Sequence, residues 1–178
     1  MKFEYKKTFR FSELESEFVA ISEEIEALKF PKGFLEFVLY ALSELFANVR
    51  EHSKAEKVST TVKITDRNCL IDVADEGVGF KKTYTASGIY AKDDVSAIEF
   101  ALSGLSTKNL KERGFGLYSI RKLGEDLGGT LTVESGLARA IIRENTIAFV
   151  HRKQKMKGVR VGIAVPVKSL DFYKVIDQ

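Results

Sequence analysis

A segment of helical periodicity, Phe34 to Ser53, constrains the fold of this chain more than any other part of the sequence. Its apolar residues recur at steps of three and four, which predicts a helix with one buried face. These residues are Leu35, Val38, Leu39, Leu42, Phe46 and Val49. A second stripe of Glu44, Asn48 and His52 borders the apolar arc. Residues four apart on a helix have Cβ atoms roughly 6 Å apart, so Glu44 and Asn48 can reach one bound ion, water or phosphate together.

Two further elements are predicted ahead of this helix. Residues 2–11 alternate weakly and carry several aromatic side chains, which suits an edge strand. Ser12 and Glu15 then form the S-x-x-E pattern of a capping box, which predicts the start of a first helix. Its one-sided apolar stripe is either core or a dimer surface. The members of that stripe are Leu14, Phe18, Ile21, Ile25 and Leu28.

A predicted strand after the second helix ends in a polar group on its inner face. An alternating strand near residues 58–65 turns at Asp66 into a second strand, whose inward positions include Ile71 and Val73. By the same parity Asp75 faces inward, where a lone carboxylate is unfavourable unless something donates hydrogen bonds to it. Gly77 and Gly79 follow, and they allow either a plain turn or the close approach of a ligand to the backbone.

The remaining chain contains an irregular stretch, a third helix and several strands. Residues 81–111 are polar and broken apart from a short helical pattern near residues 95–105, and such stretches in small domains are usually functional. Gly114 and Gly116 open the third helix, where bare N–H groups form an anion site unless the glycines only permit tight packing. Strands are predicted at 130–134, 138–143, 146–152 and 158–165, with a basic hairpin tip at 153–158. This order predicts an α+β fold, with helices on one face of a mostly antiparallel sheet.

Composition and charge exclude several classes of protein. With 178 residues and 44% hydrophobic content, the chain is expected to form a single domain over residues 1–178. The net charge is +3 and the basic residues are spread, so nucleic-acid binding is not indicated. Apolar runs are too short for a membrane span or a signal core, which predicts a cytoplasmic protein. Cys69 is the only cysteine and lies in an apolar run, so a buried thiol is favoured over a nucleophile.

Three segments together resemble the nucleotide site of the ATPase superfamily of gyrase, Hsp90, histidine kinases and MutL. ELFANVREHS, from Glu44, resembles the N box of that family; DEGVG, from Asp75, resembles the first glycine box; and RGFGLYSI, from Arg113, resembles the second. STK at 106–108 resembles the lid of some bacterial sensor kinases. The resemblance spans roughly residues 34–166 and is carried by the order and spacing of all three boxes. It implies the two-layer α/β sandwich called the Bergerat fold, with a long ATP lid at approximately residues 81–112.

The resemblance also implies ligands and roles for individual residues. ATP and Mg²⁺ are the implied ligands, with Asn48 on the magnesium ion and Asp75 on the adenine amino group. Glu44 would orient or deprotonate the attacking nucleophile, while Lys108 and Arg113 would stabilise charge on the transferred phosphoryl group. The full set of implied nucleotide-binding residues is Asn48, Asp75, Gly77, Gly79, Thr107, Lys108, Arg113, Gly114, Phe115, Gly116 and Leu117.

Two functions from different classes are compatible with this resemblance. The first is a protein kinase that transfers the ATP γ-phosphoryl group to a separate partner. The stand-alone serine kinases that act as anti-sigma factors, and phosphorylate an anti-anti-sigma partner, are similar in size. The STK motif leans instead toward histidine kinases, and because only some 30 residues precede the second helix, a split histidine kinase that phosphorylates another chain is expected rather than a complete sensor. The alternative is a nucleotide-gated protein-binding module with slow hydrolysis.

One position departs from the family pattern. Many relatives have Gly-Thr in the late strand, with the hydroxyl near adenine, whereas this chain has Gly158-Val159. The departure implies modest affinity for ATP. DNA binding through residues 153–157 is a weaker third option, and a homodimer is left open.

Overall fold

Five strands form one antiparallel sheet in the computed structural model, which describes residues 2–105 and 115–176. The strands are β1 (Phe3–Arg10), β2 (Lys57–Ile64), β3 (Asn68–Asp75), β4 (Thr130–Arg143) and β5 (Thr146–Pro166). Their order in space is β1-β2-β3-β5-β4, and each neighbouring pair is antiparallel. The predicted edge position of the first strand is confirmed.

Helices occupy the segments between the strands. They are α1 (Leu14–Glu26), α2 (Phe34–Asn48), α3 (Phe80–Ala86), α4 (Asp94–Leu102), α5 (Phe115–Asp126) and α6 (Phe172–Ile176). A 3₁₀ turn, Phe11–Glu13, leads into α1, and a π-helical turn, Val49–Ser53, continues α2. No helix within residues 2–105 or 115–176 combines the length and hydrophobicity that a membrane span requires.

The core lies between the sheet and the helices on one of its faces. Alternate residues of the strands, such as Val62 and Ile71, are fully buried in the same cluster as Phe37 and Leu42 of α2 and Ile120 of α5. Burial with a period of two in the strands and of three to four in the helices matches the sequence pattern. The predicted α+β fold is therefore confirmed.

The first helix and the lone cysteine also follow the expected burial. Leu14, Ile21 and Ile25 of α1 are buried in the core, so its stripe is core. Cys69 is buried in β3, and burial raises the pKa of its thiol to about 12. A thiol that stays protonated is a poor nucleophile, because the thiolate is the reactive form.

The predicted capping box at Ser12 and Glu15 is wrong. The Glu13 carboxylate instead accepts a hydrogen bond of 2.8 Å from the backbone N–H of Arg10, because the chain first makes a 3₁₀ turn. The backbone-to-carboxylate contact that begins the helical segment thus lies two residues before the S-x-x-E pattern.

The predicted division of the C-terminal strands is correct at the turn between residues 143 and 146 and wrong at the other two breaks. The four short strands are two long ones, and a bulge near Gly136 interrupts their register without ending β4. Glu144 and Asn145 form the hairpin tip with φ of 49° and 61°, the left-handed values of a tight two-residue turn. The basic residues 153–157 lie within β5, so the predicted basic hairpin tip does not exist.

The stretch after the first glycine box contains more regular structure than its sequence indicated. The short helical pattern corresponds to α4, whereas α3 was not predicted. Tyr84 of α3 and Ala97 of α4 are buried together in a small second cluster with Ala91. The Asp94 carboxylate at the start of α4 accepts a 2.8 Å hydrogen bond from the Leu137 N–H, which fastens this unit to the bulge of β4.

Candidate functional site

The polar stripe of α2 faces the beginning of α5. A Cβ atom placed on Gly116 would lie 2.5 Å from Oε2 of Glu44 and 3.8 Å from Nδ2 of Asn48. One turn earlier on α2, Tyr40 forms a side-chain hydrogen bond with Ser119. A side chain at position 116 would therefore displace the end of the Glu44 side chain from the N-terminal turn of this helix.

Glu44 lies in an environment that favours its protonated form. Partial burial raises the pKa of its carboxyl group, and the nearby negative charge of Glu51 raises it further. A carboxylate with a raised pKa is a better proton acceptor than an exposed one, which suits a general base. The same carboxylate also raises the pKa of Tyr40, whose own burial is the larger cause.

The end of α2 meets the glycine segment that follows β3. In the π-helical turn, the carbonyl oxygen of Ser53 accepts a 2.8 Å hydrogen bond from the N–H of Val78. A Cβ atom on Gly77 would collide with that same carbonyl group. The last residue of the π-helical turn thus holds the glycine segment against the end of α2.

Asp75 is a buried carboxylate at the end of β3. It is 6% exposed, and its carboxylate accepts hydrogen bonds from the backbone N–H groups of Gly77, at 2.7 Å, and Val159. Burial raises the pKa of Asp75, and the two N–H donors partly counter that effect. An ionised carboxyl group accepts up to about four hydrogen bonds, so Asp75 retains capacity for a donor from a ligand.

The backbone around Asp75 is packed through glycines and one serine. Gly158 of β5 lies against both Asp75 and Gly77, and no Cβ atom would fit there. The hydroxyl of Ser135 donates to the Gly158 carbonyl at 3.2 Å and accepts from the Phe80 N–H at 3.1 Å. The bulge of β4, the late strand and the first glycine box are thereby joined around the carboxylate.

The structure thus brings together some of the predicted site residues and leaves others untested. Glu44, Asn48 and Gly116 form one cluster, and Asp75, Gly77 and Gly79 form another, with the π-helical turn between them. The side chain of Leu117 is buried in the core, so only its backbone can serve a ligand. Thr107, Lys108, Arg113 and Gly114 lie outside the described residues, as does the side chain of Phe115.

Four residues that contribute to this arrangement are not among those predicted from the sequence. Tyr40 continues the stripe of Glu44 and Asn48 by one more turn, a spacing that could have been noticed. Ser53 and Val159 act through backbone atoms, which leave no signature in side-chain patterns. Ser135 lies at a bulge whose position depends on strand pairing.

The sequence was compared with those of known protein families to identify the function of this site. The sequence model of the family described as "Histidine kinase-, DNA gyrase B-, and HSP90-like ATPase" matches residues 35–169, which include α2, Asp75 and α5. The chain belongs to this ATPase family. The resemblance inferred from the three boxes is confirmed, and ATP binding of the histidine kinase type follows from membership.

A curated relative gives a narrower comparison. Over 47 residues the chain is 45% identical to the sensor histidine kinase NarS of Mycobacterium tuberculosis (strain ATCC 25618 / H37Rv). The aligned segment covers 26% of this chain and 11% of that protein. The relative therefore resembles this ATPase domain over a short segment, and the activity of the whole sensor kinase does not transfer to it.

The side chains of the site are compatible with binding of Mg²⁺ together with ATP, as family members generally bind it. Among residues 2–105 and 115–176, no cluster of three or more His, Cys, Asp or Glu could hold a metal ion. Magnesium, however, is commonly bound through one or two protein oxygens together with substrate phosphates and water. The Asn48 side chain, next to Glu44 and the start of α5, offers such an oxygen.

Alanine substitutions at two of the glycines are expected to have opposite effects on stability. Gly77→Ala places a Cβ atom against the Ser53 carbonyl group, and backbone must move, so the free energy of unfolding should fall by about 1–3 kcal/mol. Gly116→Ala meets only the end of the Glu44 side chain and should leave stability unchanged or higher, since alanine favours helix by up to about 1 kcal/mol. Urea denaturation of both variants checks this. Equal destabilisation would contradict the assigned close approaches.

Proposed function

We propose that this ATPase-family domain binds ATP with Mg²⁺ at the described site and transfers the γ-phosphoryl group to a separate protein. The observation that carries the proposal is the placement of Glu44 and Asn48 against the N-terminal turn of α5. Helix N-termini bind phosphate through free N–H groups, so the transferred phosphoryl group would lie close to a carboxylate able to accept a proton. The proposed place of action is the cytoplasm, where ATP is available.

The proposed chemistry is an in-line displacement at the γ-phosphorus. An oxygen or nitrogen of the partner forms the new bond to phosphorus, the bond to the β–γ bridging oxygen breaks, and ADP leaves. Where the acceptor is a hydroxyl group, its proton passes to the Glu44 carboxylate. Bound Mg²⁺ would neutralise phosphate charge, with the Asn48 side-chain oxygen as a protein ligand. Lys108 and Arg113 remain proposed phosphoryl contacts.

Recognition of the base is assigned to Asp75. The amino group of adenine is a donor that a buried, incompletely satisfied carboxylate would accept, whereas guanine presents a carbonyl acceptor at the same position. Val159 contributes its N–H to Asp75, although its side chain lacks the hydroxyl group found in many relatives. The glycine-lined backbone at Gly77 and Gly79 permits close approach of the base.

A phosphoryl-transfer assay tests this function. The protein is incubated with γ-labelled ATP, magnesium and purified candidate partners encoded by neighbouring genes. Label is expected on one partner with wild type and with Glu36→Gln, an exposed carboxylate in the first turn of α2, but not with Glu44→Gln. Acid-stable label identifies a serine or threonine acceptor, as in an anti-anti-sigma-like partner, and acid-labile label identifies histidine. Wild-type protein that labels no partner would contradict the kinase assignment.

The pH dependence of turnover should report the environment of Glu44. Because burial and the charge of Glu51 raise its pKa, the rate should fall on acidification with a midpoint above the ordinary value of about 4.3. Glu51→Gln removes one of these causes and should move the midpoint to lower pH, while Glu36→Gln should leave it in place. Single-turnover rates across the folded pH range provide the measurement. An unchanged midpoint in Glu51→Gln would contradict the assignment of Glu44 as the base.

A further inference from the structure

The sheet face opposite the helices contains a concave groove of about 550 Å³. Small or apolar side chains form its floor, including Leu70 and Ala74 of β3 and Ala164 of β5. Leu70 is 38% exposed, although an apolar residue of that size is usually buried. The groove is on the other side of the sheet from Glu44 and Asn48, so it is separate from the ATP site.

Three arginines surround this floor and are fixed by acidic neighbours. Arg139 and Arg152 both pair with the buried carboxylate of Glu134, the former at 3.3 Å. Arg160 pairs with Asp72 through its Nε atom, at 2.9 and 3.1 Å from the two carboxylate oxygens. A guanidinium group has five N–H donors. Among the described residues, the ion pairs with Glu134 and Asp72 use fewer than half of the N–H donors of each arginine. Other N–H groups of these arginines are available to a ligand in the groove.

The whole outward face of the sheet is positive. By strand parity β1 and β2 add Lys6, Arg10, Lys57 and Lys63 to the three groove arginines. Arg143 of β4 shares the face of Arg139, so eight cations on the described strands stand against three acidic side chains, Glu4, Asp72 and Glu134. The face therefore carries more positive charge than the complete chain, whose net charge is only +3.

The basic segment of β5 contributes one arginine to the groove. Arg152 and Met156 line the groove, whereas the exposed Lys153, Lys155 and Lys157 are odd-numbered and by strand parity lie on the other face of β5. Near the groove β5 has more residues than β4, because the register moves from His151 opposite Ala138 to Met156 opposite Gly136. The charge of the groove therefore comes from its arginines and not from these lysines.

From these observations we propose that the groove is a docking site for an acidic segment of a partner protein. Aspartate or glutamate side chains of the segment pair with the arginines, which bind carboxylates through two parallel N–H bonds. Intervening apolar side chains cover Leu70 and the alanines. Docking here does not rest on the proposed kinase function, because it requires neither ATP nor Glu44.

The groove suits an acidic peptide better than a nucleic acid. Single-stranded nucleic acids bind through stacking of bases on aromatic rings, and the described residues that line the groove include no aromatic side chain. The two acidic residues between the arginines also repel a continuous phosphate backbone. A peptide can place discrete carboxylates against the cations and apolar groups against the floor.

Fluorescence anisotropy tests the proposal with a labelled peptide of mixed Glu, Leu and Gly residues. Binding to the wild-type protein is expected at low salt, to weaken as salt is added, and to be lost when Gln replaces Glu in the peptide. Arg139→Gln and Arg160→Gln should each weaken binding by about tenfold. Lys174→Gln, which removes the same charge from the exposed side of α6, should not. Ala164→Glu, at an exposed floor position, should abolish binding while circular dichroism shows a native fold.

Several results would overturn the proposal. If the acidic peptide does not bind the wild-type protein, or if Lys174→Gln weakens peptide binding as much as the arginine variants do, the groove is not the binding site. Tighter binding of labelled single-stranded or duplex DNA of similar length, weakened by the same arginine variants, makes a nucleic acid the occupant. A wild-type dimer in sedimentation velocity that Ala164→Glu dissociates makes a second copy of this chain the occupant.

Discussion

Asp75→Asn is expected to weaken ATP binding by roughly 10- to 150-fold, which corresponds to about 1.5–3 kcal/mol for a hydrogen bond to a charged acceptor. The Asp75 carboxylate already accepts N–H groups from Gly77 and Val159. An asparagine has one acceptor oxygen for all of these donors, and its amide N–H₂ would face the adenine amino group. Calorimetric titration of ATP into the variant measures the loss.

The same substitution should leave the unliganded protein folded. Burial raises the pKa of Asp75 above its unfolded value, so its stabilising contribution is present below the unfolded pKa and is lost as pH rises through the folded pKa. At neutral pH the charge opposes folding, and removing it should not lower the melting temperature. Asp72→Asn, in the same strand but facing outward toward Arg160, is the matched control and should bind ATP normally. Unfolding of Asp75→Asn, or normal ATP affinity, would contradict the assigned role.

Glu44→Gln is expected to lower the rate of phosphoryl transfer or hydrolysis by about 10²–10⁴-fold, the usual contribution of a general base. Its affinity for ATP should remain within about threefold of wild type, because glutamine has nearly the same size and still fits beside Gly116. Rapid-quench measurement of the chemical step, together with ATP titration, separates the two effects.

Partner labelling by the wild type, compared with the same variant, distinguishes the two functions that the sequence permits. A nucleotide-gated module should retain ATP-dependent partner binding in Glu44→Gln while hydrolysis stops, since docking would depend on bound nucleotide rather than turnover. A kinase should label the partner in the wild type and leave the bound partner unlabelled in Glu44→Gln, whereas a gated module should label no partner in either protein. Loss of ATP affinity together with turnover would mean that Glu44 holds the ligand rather than activating the acceptor. Glu36→Gln controls for the loss of one negative charge from α2.

The sequence predicted the parts of this protein that follow from periodicity and local chemistry. The stripes of α1 and α2, the inward parity of Asp75 and the place of Gly116 in the first turn of α5 all depend on neighbours within a few residues. The turn at residues 144–145 was predicted, but β4 and β5 were each divided in two, because the glycine at the bulge and the basic residues 153–157 resemble turns in the sequence. Only the pairing of β4 with β5 shows that both strands continue through these positions.

In the candidate site, too, the features set by neighbouring residues were predictable, whereas those set by distant parts of the chain were not. Glu44 and Asn48 could be paired from helical spacing, and Asp75 could be assigned a need for hydrogen bonds from strand parity. The donors that meet this need include Val159, 84 positions later in the numbering of the chain, and the π-helical carbonyl of Ser53 holds the adjoining segment. Such backbone contacts depend on tertiary packing and have no counterpart in residue patterns.

Calorimetric titration of the wild-type protein with ATP and magnesium measures nucleotide binding at the proposed site. We expect saturable binding of one nucleotide per chain, weaker binding when magnesium is removed, and much weaker binding of GTP, because guanine offers an acceptor to the Asp75 carboxylate. Running the titration at two temperatures ensures that a small enthalpy at one of them does not conceal binding. No binding of ATP at either temperature, or equal affinity for ATP and GTP, would contradict the assignment of this site.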